Sequence, residues 1–465
     1  MHVVAPALLC WTAGLALVCA GWSRQTSLAS DLLLKLSLAA GCGFGLFSII
    51  FFLCLTLSFS RLILADAAVL GLLLASLLWI RLRHASGSMA KATNRGPAGG
   101  LRLALAGSFA VSLFVSLYAS VARIRANPHG IGWDAFAIWN LRARFLYRGG
   151  PNWKDGLTSV IAWSHPDYPL LLPAGIANFW RYLGSDSPII PGTVALIFTF
   201  STVGLLFSGL SALRGRSQGF LGGLVLMGTP FFVERGSSQY ADVPLGFFFL
   251  ATTVLLCLQD DPARRSPGLI AMSGVTAGFA AWTKNEGLLF LSAVVLARLV
   301  LLVRRDLSSW KQQLGPMFAG VLPFLLLIGY FKLRAAPAGE MFSDVHSIFH
   351  KLSEPSRYWA TTRWFGKELL QFGHWWLVPG TVLLAAYYFL VGKEASGVRG
   401  SGVRTSTIAL GFTLAGYFAI YLITPYDIYW HLRFSLNRLF LQLWPSAIFL
   451  FFMMTRTPEQ AARNT

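Results

Sequence analysis

Apolar runs of about twenty residues, almost free of charge, recur from one end of this chain to the other, and that repetition leaves few folds open. A membrane-crossing helix needs about 20 largely apolar residues, and the stretches 101–121, 194–213, 269–281, 288–303 and 321–331 approach or meet that length. Only 12% of the 465 residues are charged, about half the share in an ordinary soluble domain, so lipid is the expected solvent. The expected fold is an all-α polytopic membrane protein of about thirteen transmembrane helices, with juxtamembrane helices in long outward-facing loops. The segments fall near 3–21, 32–59, 62–80, 101–121, 188–212, 218–233, 243–258, 268–283, 287–303, 314–333, 375–391, 406–424 and 439–455. The first has no basic start and no small-residue exit and is followed by further apolar segments, so it reads as a span and not as a cleaved signal. All five cysteines (Cys10, Cys19, Cys42, Cys54, Cys257) lie in or beside spans, against a disulfide framework or a zinc site.

The formal charge of +19 is spread over loops and not gathered on one folded domain, which argues for membrane orientation and against nucleic acid. Arg81, Arg83, Lys91, Arg95 and Arg102 precede the fourth span. Arg214 and Arg216, then Arg264 and Arg265, then Arg304, Arg305 and Lys311, then Lys393, Arg399 and Arg404 fill alternate loops after it. These loops are expected on the cytoplasmic side of a plasma (inner) membrane. Segments 122–187 and 334–374, the turns near 234–242 and 283–287, and segment 425–438 then face the periplasm or exterior.

Two outward loops are long and dense in aromatic residues and carboxylates, the mark of functional loops that fold onto the membrane face. Residues 132–148 carry helical periodicity, with Trp133, Ala137, Leu141 and Phe145 on one face and Asn140, Arg144 and Arg148 as a polar stripe. Asp134 opens this helix, facing outward water, where Asp suits an N-cap and also suits a general base. Ser164-His165-Pro166-Asp167-Tyr168-Pro169 comes next as a proline-stiffened strip. Gln239-Tyr240-Ala241-Asp242 sets a carboxylate at the mouth of a span, Trp282-Thr283-Lys284-Asn285-Glu286-Gly287 makes a tight turn between two spans, and Tyr426 to Arg433 with Asn437-Arg438 precedes the last span. Trp282, Tyr429 and Trp430 read as interfacial anchors. Asp242, Lys284, Glu286, Arg433 and Arg438 read as functional, because ionisable residues at span ends that face protein usually are.

These residues resemble the GT-C superfamily of polyprenyl-phosphate-sugar-dependent glycosyltransferases, in particular the protein O-mannosyltransferase and aminoarabinose-transferase branch with its bacterial relatives. The likeness rests on Asp134 at the start of the first long outward loop, the strip from Asp167 to Pro173, the Ala-Asp-x-Pro-Leu at Asp242 and the Thr-Lys-x-Glu-Gly turn at Lys284. It covers roughly residues 101–340, with a weaker likeness in the last outward loop. The resemblance implies extra N-terminal helices in 1–100, a catalytic membrane module in 101–340, and an outward aromatic loop with C-terminal helices in 341–465. Three hydrophobic segments precede the loop of Asp134, where the family commonly has one, and Ala135 follows Asp134 in place of a second acid.

What the resemblance implies chemically is transfer of a sugar from a polyprenyl-phosphate donor to a hydroxyl acceptor, with inversion. Asp134 would take the acceptor proton, and Lys284, Arg433 and Arg438 would hold the phosphate as charge grows on it. Asp242, Glu286, His165, Asp167, Tyr168 and His431 would contact substrate. Membrane lipid is the surrounding partner and no nucleic acid is expected. No Asp/His grouping has metal-ligand spacing, so no cofactor is assigned, and a divalent metal stays open. Aromatic segment 341–376, with Phe342, Phe349, Tyr358, Trp359, Trp364, Phe365, Trp375 and Trp376, would either cover the site or anchor at the interface. Two other functions compete: a transporter or flippase, which would want charges near the bilayer midplane and paired repeats, and a polymerase or ligase of lipid-linked glycans. Span interiors here are nearly free of charge, and no nucleotide-binding glycine loop is visible.

Overall fold

The computed structural model describes residues 4–22, 29–83, 99–303, 307–339, 345–394 and 400–462, and Lys91, Arg95, Arg304, Arg305, Phe342 and Arg399 lie outside them. Every regular element among the described residues is helical. The helices are α1 (Val4–Gly21), α2 (Ala29–Thr56), α3 (Leu62–Arg83), α4 (Gly100–Ala126), α5 (Leu141–Arg148), α6 (Leu171–Leu183), α7 (Ile189–Leu213), α8 (Arg216–Met227), α9 (Pro230–Gly236) and α10 (Asp242–Leu258). They continue as α11 (Pro267–Thr283), α12 (Asn285–Leu302), α13 (Leu307–Arg334), α14 (Val345–Leu352), α15 (Pro355–Gln371), α16 (Gly380–Val391), α17 (Ser401–Ile423), α18 (Ile428–Met454) and α19 (Pro458–Ala461).

Among the described residues nine helices are long and apolar enough to cross a membrane: α1–α4, α7, α12, α13, α17 and α18. The other expected spans are shorter. Segment 218–233 breaks between α8 and α9, where Pro230 opens the second piece, and α10, α11 and α16 run 17, 17 and 12 residues. The last outward segment also differs from expectation. Residues 428–438 are not a loop but the first turns of α18, so Arg438 sits about 15 Å along that helix.

α10 is the central post. All seventeen of its residues are buried, and it packs against α2, α7, α11, α17 and α18. At 1.5 Å per residue it is about 25 Å long, shorter than the roughly 30 Å hydrocarbon core, so its first residue, Asp242, begins in a recess ringed by longer helices. α3 and α4 lie at the periphery, with Leu72, Leu78, Phe114 and Tyr118 exposed as lipid-facing side chains would be. Small residues let helices approach closely; Gly274 and Gly320 each leave no room for a Cβ where α11 crosses α13.

The two ends of the bundle differ. Arg264 pairs with Asp31 (3.1 Å), Arg214 with Glu394 (3.2 Å), and Asp260 accepts from the backbone N–H of Gly402 at the start of α17. The first and last of these join the loop after α10 to α2 and α17, the second joins the end of α7 to the segment after α16, and Arg102 and Glu459 (3.7 Å) lie with them. Opposite, at the N-terminal end of α10, the long segment 122–187 folds down on the helix ends. The basic inward loops and the segments that carry Asp134, Asp167, Asp242 and Glu286 therefore occupy opposite ends. α15 seats on α17 and α18, with Phe365 against Phe418, Tyr421 and Phe440 and Arg357 donating to the Leu422 carbonyl (3.0 Å).

Candidate functional site

The recess over α10 gathers ionisable side chains from four separate parts of the chain. Asp242 is fully buried and accepts from three donors: Arg438 Nε at 2.8 Å, Lys284 Nζ at 3.2 Å and Gln442 Nε2 at 2.7 Å. Arg438 reaches onward through Nη2 to Asp134 Oδ2 at 2.6 Å, and Lys284 to Glu286 Oε1 at 2.6 Å. Tyr417 braces the floor by donating to Gln442 Oε1 (2.7 Å). The result is one continuous alternation, Asp134–Arg438–Asp242–Lys284–Glu286, closing from the loop of 122–187 across α18 and α10 to the turn between α11 and α12.

Local sequence explains each placement. α11 ends at Thr283 and α12 begins at Asn285, so Lys284 alone makes the turn, and Gly287 is required because a Cβ there would collide with the Ala280 backbone. Burial works against the charge on Lys284, but Asp242 and Glu286 outweigh it and hold its ammonium above the ordinary value. Gly132 adopts φ +85°, a conformation that suits glycine, and a Cβ there would strike the Tyr240 hydroxyl; this turn delivers Asp134 beside Tyr240, whose ring faces the Arg438 guanidinium at 4.7 Å.

Asp134 is not an N-cap. Its backbone is already helical (φ −61°, ψ −32°), and its side chain makes no capping hydrogen bond, turning to Arg438 instead. With a side-chain exposure of 17% it is recessed and not facing open water. Residues Ala135–Asn140 then form a π-helical turn, whose wider pitch rotates the residues after it. The expected apolar face is displaced: Trp133 and Phe136 are exposed, while Ile138, Trp139, Asn140 and Arg142 are buried. Asn140 leaves the polar stripe and donates to Gln239 Oε1 (2.7 Å), whereas Arg144 and Arg148 both pair with Asp186 (3.2 and 2.6 Å).

The strip 164–170 forms one wall. Asp167 Oδ2 accepts from Asn285 Nδ2 at 2.7 Å, and Lys332 Nζ donates to the Asp167 carbonyl at 2.6 Å and to Asn285 Oδ1 at 2.9 Å. Tyr168 stacks between His165 (5.0 Å) and Trp139 (5.9 Å) and presents its ring to Lys284 at 5.6 Å. Burial pulls the His165 imidazole below its ordinary value and pushes the Tyr168 phenol well above its own, so both are neutral at pH 7. His431 bonds Thr424 Oγ1 through Nδ1 (2.8 Å) and packs against Tyr421. Arg433 stands apart: it is exposed and has no carboxylate partner among the described residues. Tyr429 and Trp430 are exposed as interfacial anchors would be, but Trp282 is fully buried and donates to Ser48 Oγ (3.0 Å), so it is a core residue.

Two further residues join the site, Arg142 and Gln239, to which the sequence pattern assigns no role. Arg142 is 1% exposed, donates through Nη1 to the Tyr168 carbonyl (2.9 Å), lies over the Trp139 and Tyr168 rings, and keeps Nη2 without a partner; burial lowers it to about 10. Gln239 holds φ +64° and clamps Asn140 to the Pro128 carbonyl (3.0 Å). In Glu286 the second carboxylate oxygen, Oε2, is buried without a hydrogen-bond partner. No cluster of three or more His, Cys, Asp or Glu able to hold a metal occurs among the described residues.

The arrangement is a recessed polar cluster in an otherwise apolar bundle, with carboxylates and cations paired and several buried donor and acceptor atoms, among them Arg142 Nη2, Asn140 Oδ1 and Glu286 Oε2, left over. It can exchange partners with an anion and accept a proton. No protein-family model, curated protein or solved structure matches the chain.

Proposed function

We propose that this chain is an integral membrane glycosyltransferase that moves a sugar from a polyprenyl-phosphate donor to a hydroxyl acceptor. The observation that carries the proposal is the unbroken junction of Asp134, Arg438, Asp242, Lys284 and Glu286 at one end of a bundle otherwise built for lipid. In this reading the shorter helices α8–α9, α10, α11 and α16 complete about thirteen spans, and the site end faces the periplasm or exterior of a plasma (inner) membrane.

The chemistry rests on partner exchange. As found, the Arg438 guanidinium occupies Asp134 Oδ2 at 2.6 Å. A donor phosphate entering over Lys284 and Arg438 competes for the same guanidinium and releases Asp134 Oδ2. The acceptor oxygen then attacks the anomeric carbon as its proton passes to Asp134. The C–O bond to phosphate breaks, its electron pair leaves with the polyprenyl phosphate, and the anomeric centre inverts. Arg438 and Lys284 stabilise that developing charge, the role in which preorganised cations contribute most. Asp167, Tyr168, His165, Glu286 and His431 line the space for sugar or acceptor, and Arg433 stands at the rim.

Radiolabelled polyprenyl-phosphate hexose supplied to the purified protein tests the proposal. Transfer of one sugar to an acceptor supports it; movement of the donor without bond cleavage indicates a transporter or flippase; growth of a chain indicates a polymerase or ligase.

A further inference from the structure

A second feature lies away from the carboxylate network and is independent of the transferase proposal. Where α2 gives way to α3, a cavity of about 460 Å³ opens to the surface, walled by Ser60, Arg61, Ile63, Leu64, Arg181 and Tyr182. Both arginines are exposed, and neither has a carboxylate partner among the described residues; the Arg181 guanidinium lies 5.6 Å from the Tyr147 ring. The Tyr182 hydroxyl donates inward to Asp66 Oδ2 (2.7 Å), which fixes the back wall, and among the described residues lining the cavity Arg61 and Arg181 carry the only charged side chains. Below them α3 presents Ile63, Leu64, Leu72, Leu74 and Leu78, all exposed.

That combination has a specific chemistry. Two cations with unused donors suit a phosphate diester, for which arginine gives forked contacts. An apolar helix face running away from them suits acyl chains. A zwitterionic headgroup would bring its own cation against two others and would be disfavoured. We infer that this cavity is a binding site for an anionic phospholipid, with the phosphate between Arg61 and Arg181 and the tails along α3. The site sits at the far end of α6 from the His165–Tyr168 strip, and Arg181 leans on α5 through Tyr147, so a bound lipid would brace the α5–α6 pair.

Native mass spectrometry of the full-length protein in detergent tests this with dioleoyl phosphatidylglycerol and dioleoyl phosphatidylcholine as probes. Wild type is expected to hold phosphatidylglycerol preferentially. Arg61→Ala/Arg181→Ala should bind it roughly ten- to thirtyfold more weakly, since each basic residue near an anionic lipid contributes about 1 kcal/mol; Arg61→Lys/Arg181→Lys should fall between. Equal retention of the two lipids by wild type, or an alanine variant that binds as wild type does, overturns the inference. A phosphatidylglycerol with its photoactivatable group on the headgroup gives a second reading on wild type that needs no variant: adducts must map to 60–64 or 181–182. Adducts confined elsewhere, or loss of labelling with equimolar inorganic phosphate, would also overturn it.

Discussion

Replacing Asp134 by Asn removes one charge and no volume, and the geometry separates its effect on chemistry from its effect on folding. Asp134 is at the open end of the network, with a side-chain exposure of 17%, and its one ion-pair partner, Arg438, keeps Asp242 through Nε at 2.8 Å. The buried guanidinium is therefore not stranded, and the stability cost should resemble that of a partly exposed pair, about 1 kcal/mol or less. Asp242→Asn is the contrasting case. That carboxylate is fully buried with three donors, and removing one partner of a buried pair costs about 3–5 kcal/mol. Transfer depends on Asp134 differently: loss of a positioned base costs about 10²–10⁴-fold, or roughly 3–5 kcal/mol in the barrier. Two assays on the same preparations read both quantities. Heat-driven reaction of the buried thiols of Cys10, Cys42 and Cys257 with a fluorogenic maleimide reports unfolding, and sugar transfer reports chemistry. Asp134→Asn should label like wild type and transfer at about a hundredth of its rate or below, whereas Asp242→Asn should lose both. An Asp134→Asn protein that transfers at the wild-type rate refutes the base assignment. One as unstable as Asp242→Asn refutes the view that the network's outer end is built for chemistry.

Arg438→Ala should lower kcat/KM by about 10²–10³-fold, as loss of one preorganised charge contact does, while Arg433→Ala, exposed and outside the network, should change stability by less than about 0.5 kcal/mol and alter transfer far less; equal effects of the two would show that the network does not hold the phosphate. Arg142→Met removes the guanidinium that bonds the Tyr168 carbonyl and should increase deuterium uptake across 160–170, with unchanged uptake counting against its bracing role. His165 has a folded-state value below its ordinary one of about 6.5, so the unfolded strip takes up a proton first as pH falls; protection of 160–170 should be full above about pH 6.5 and decline below it, and His165→Asn should abolish that dependence. In a cysteine-free background, cysteines placed at 133 and 427 should label from one side of the membrane and one at 459 from the other. Labelling of 133 and 459 from the same side would break the two-ended arrangement.

Parts of the site are legible in the sequence for a physical reason. Asp242, Lys284, Glu286 and Arg438 stand out because lipid makes a charge at a span end costly unless it has a partner or a task. Their partners are not legible, since Asp134 and Arg438 are 304 positions apart and only packing brings them to 2.6 Å. The N-cap reading of Asp134 fails because capping is a local rule, and here a tertiary guanidinium competes for the same carboxylate. Arg142 escapes an amphipathic pattern that assumes 3.6 residues per turn; the π-helical turn at Ala135–Asn140 widens that pitch and rotates Arg142 inward. Trp282 reads as interfacial because tryptophan favours that depth, but α2 and α13 close over the indole, with Phe52 and Phe331 against its ring.

Hydrophobicity by itself determined that this chain is an all-helical protein with helices suited to a bilayer, because burying or lipid-facing apolar surface is additive along the sequence and needs no knowledge of neighbours. It also determined which loops concentrate the basic residues. Tertiary structure alone decided that this helix, α10, is the central post, that its leading carboxylate Asp242 is fully buried, and that cations from α18 and from the turn after α11 converge on it. Pairing energies depend on distance and burial, and neither is a property of any one segment.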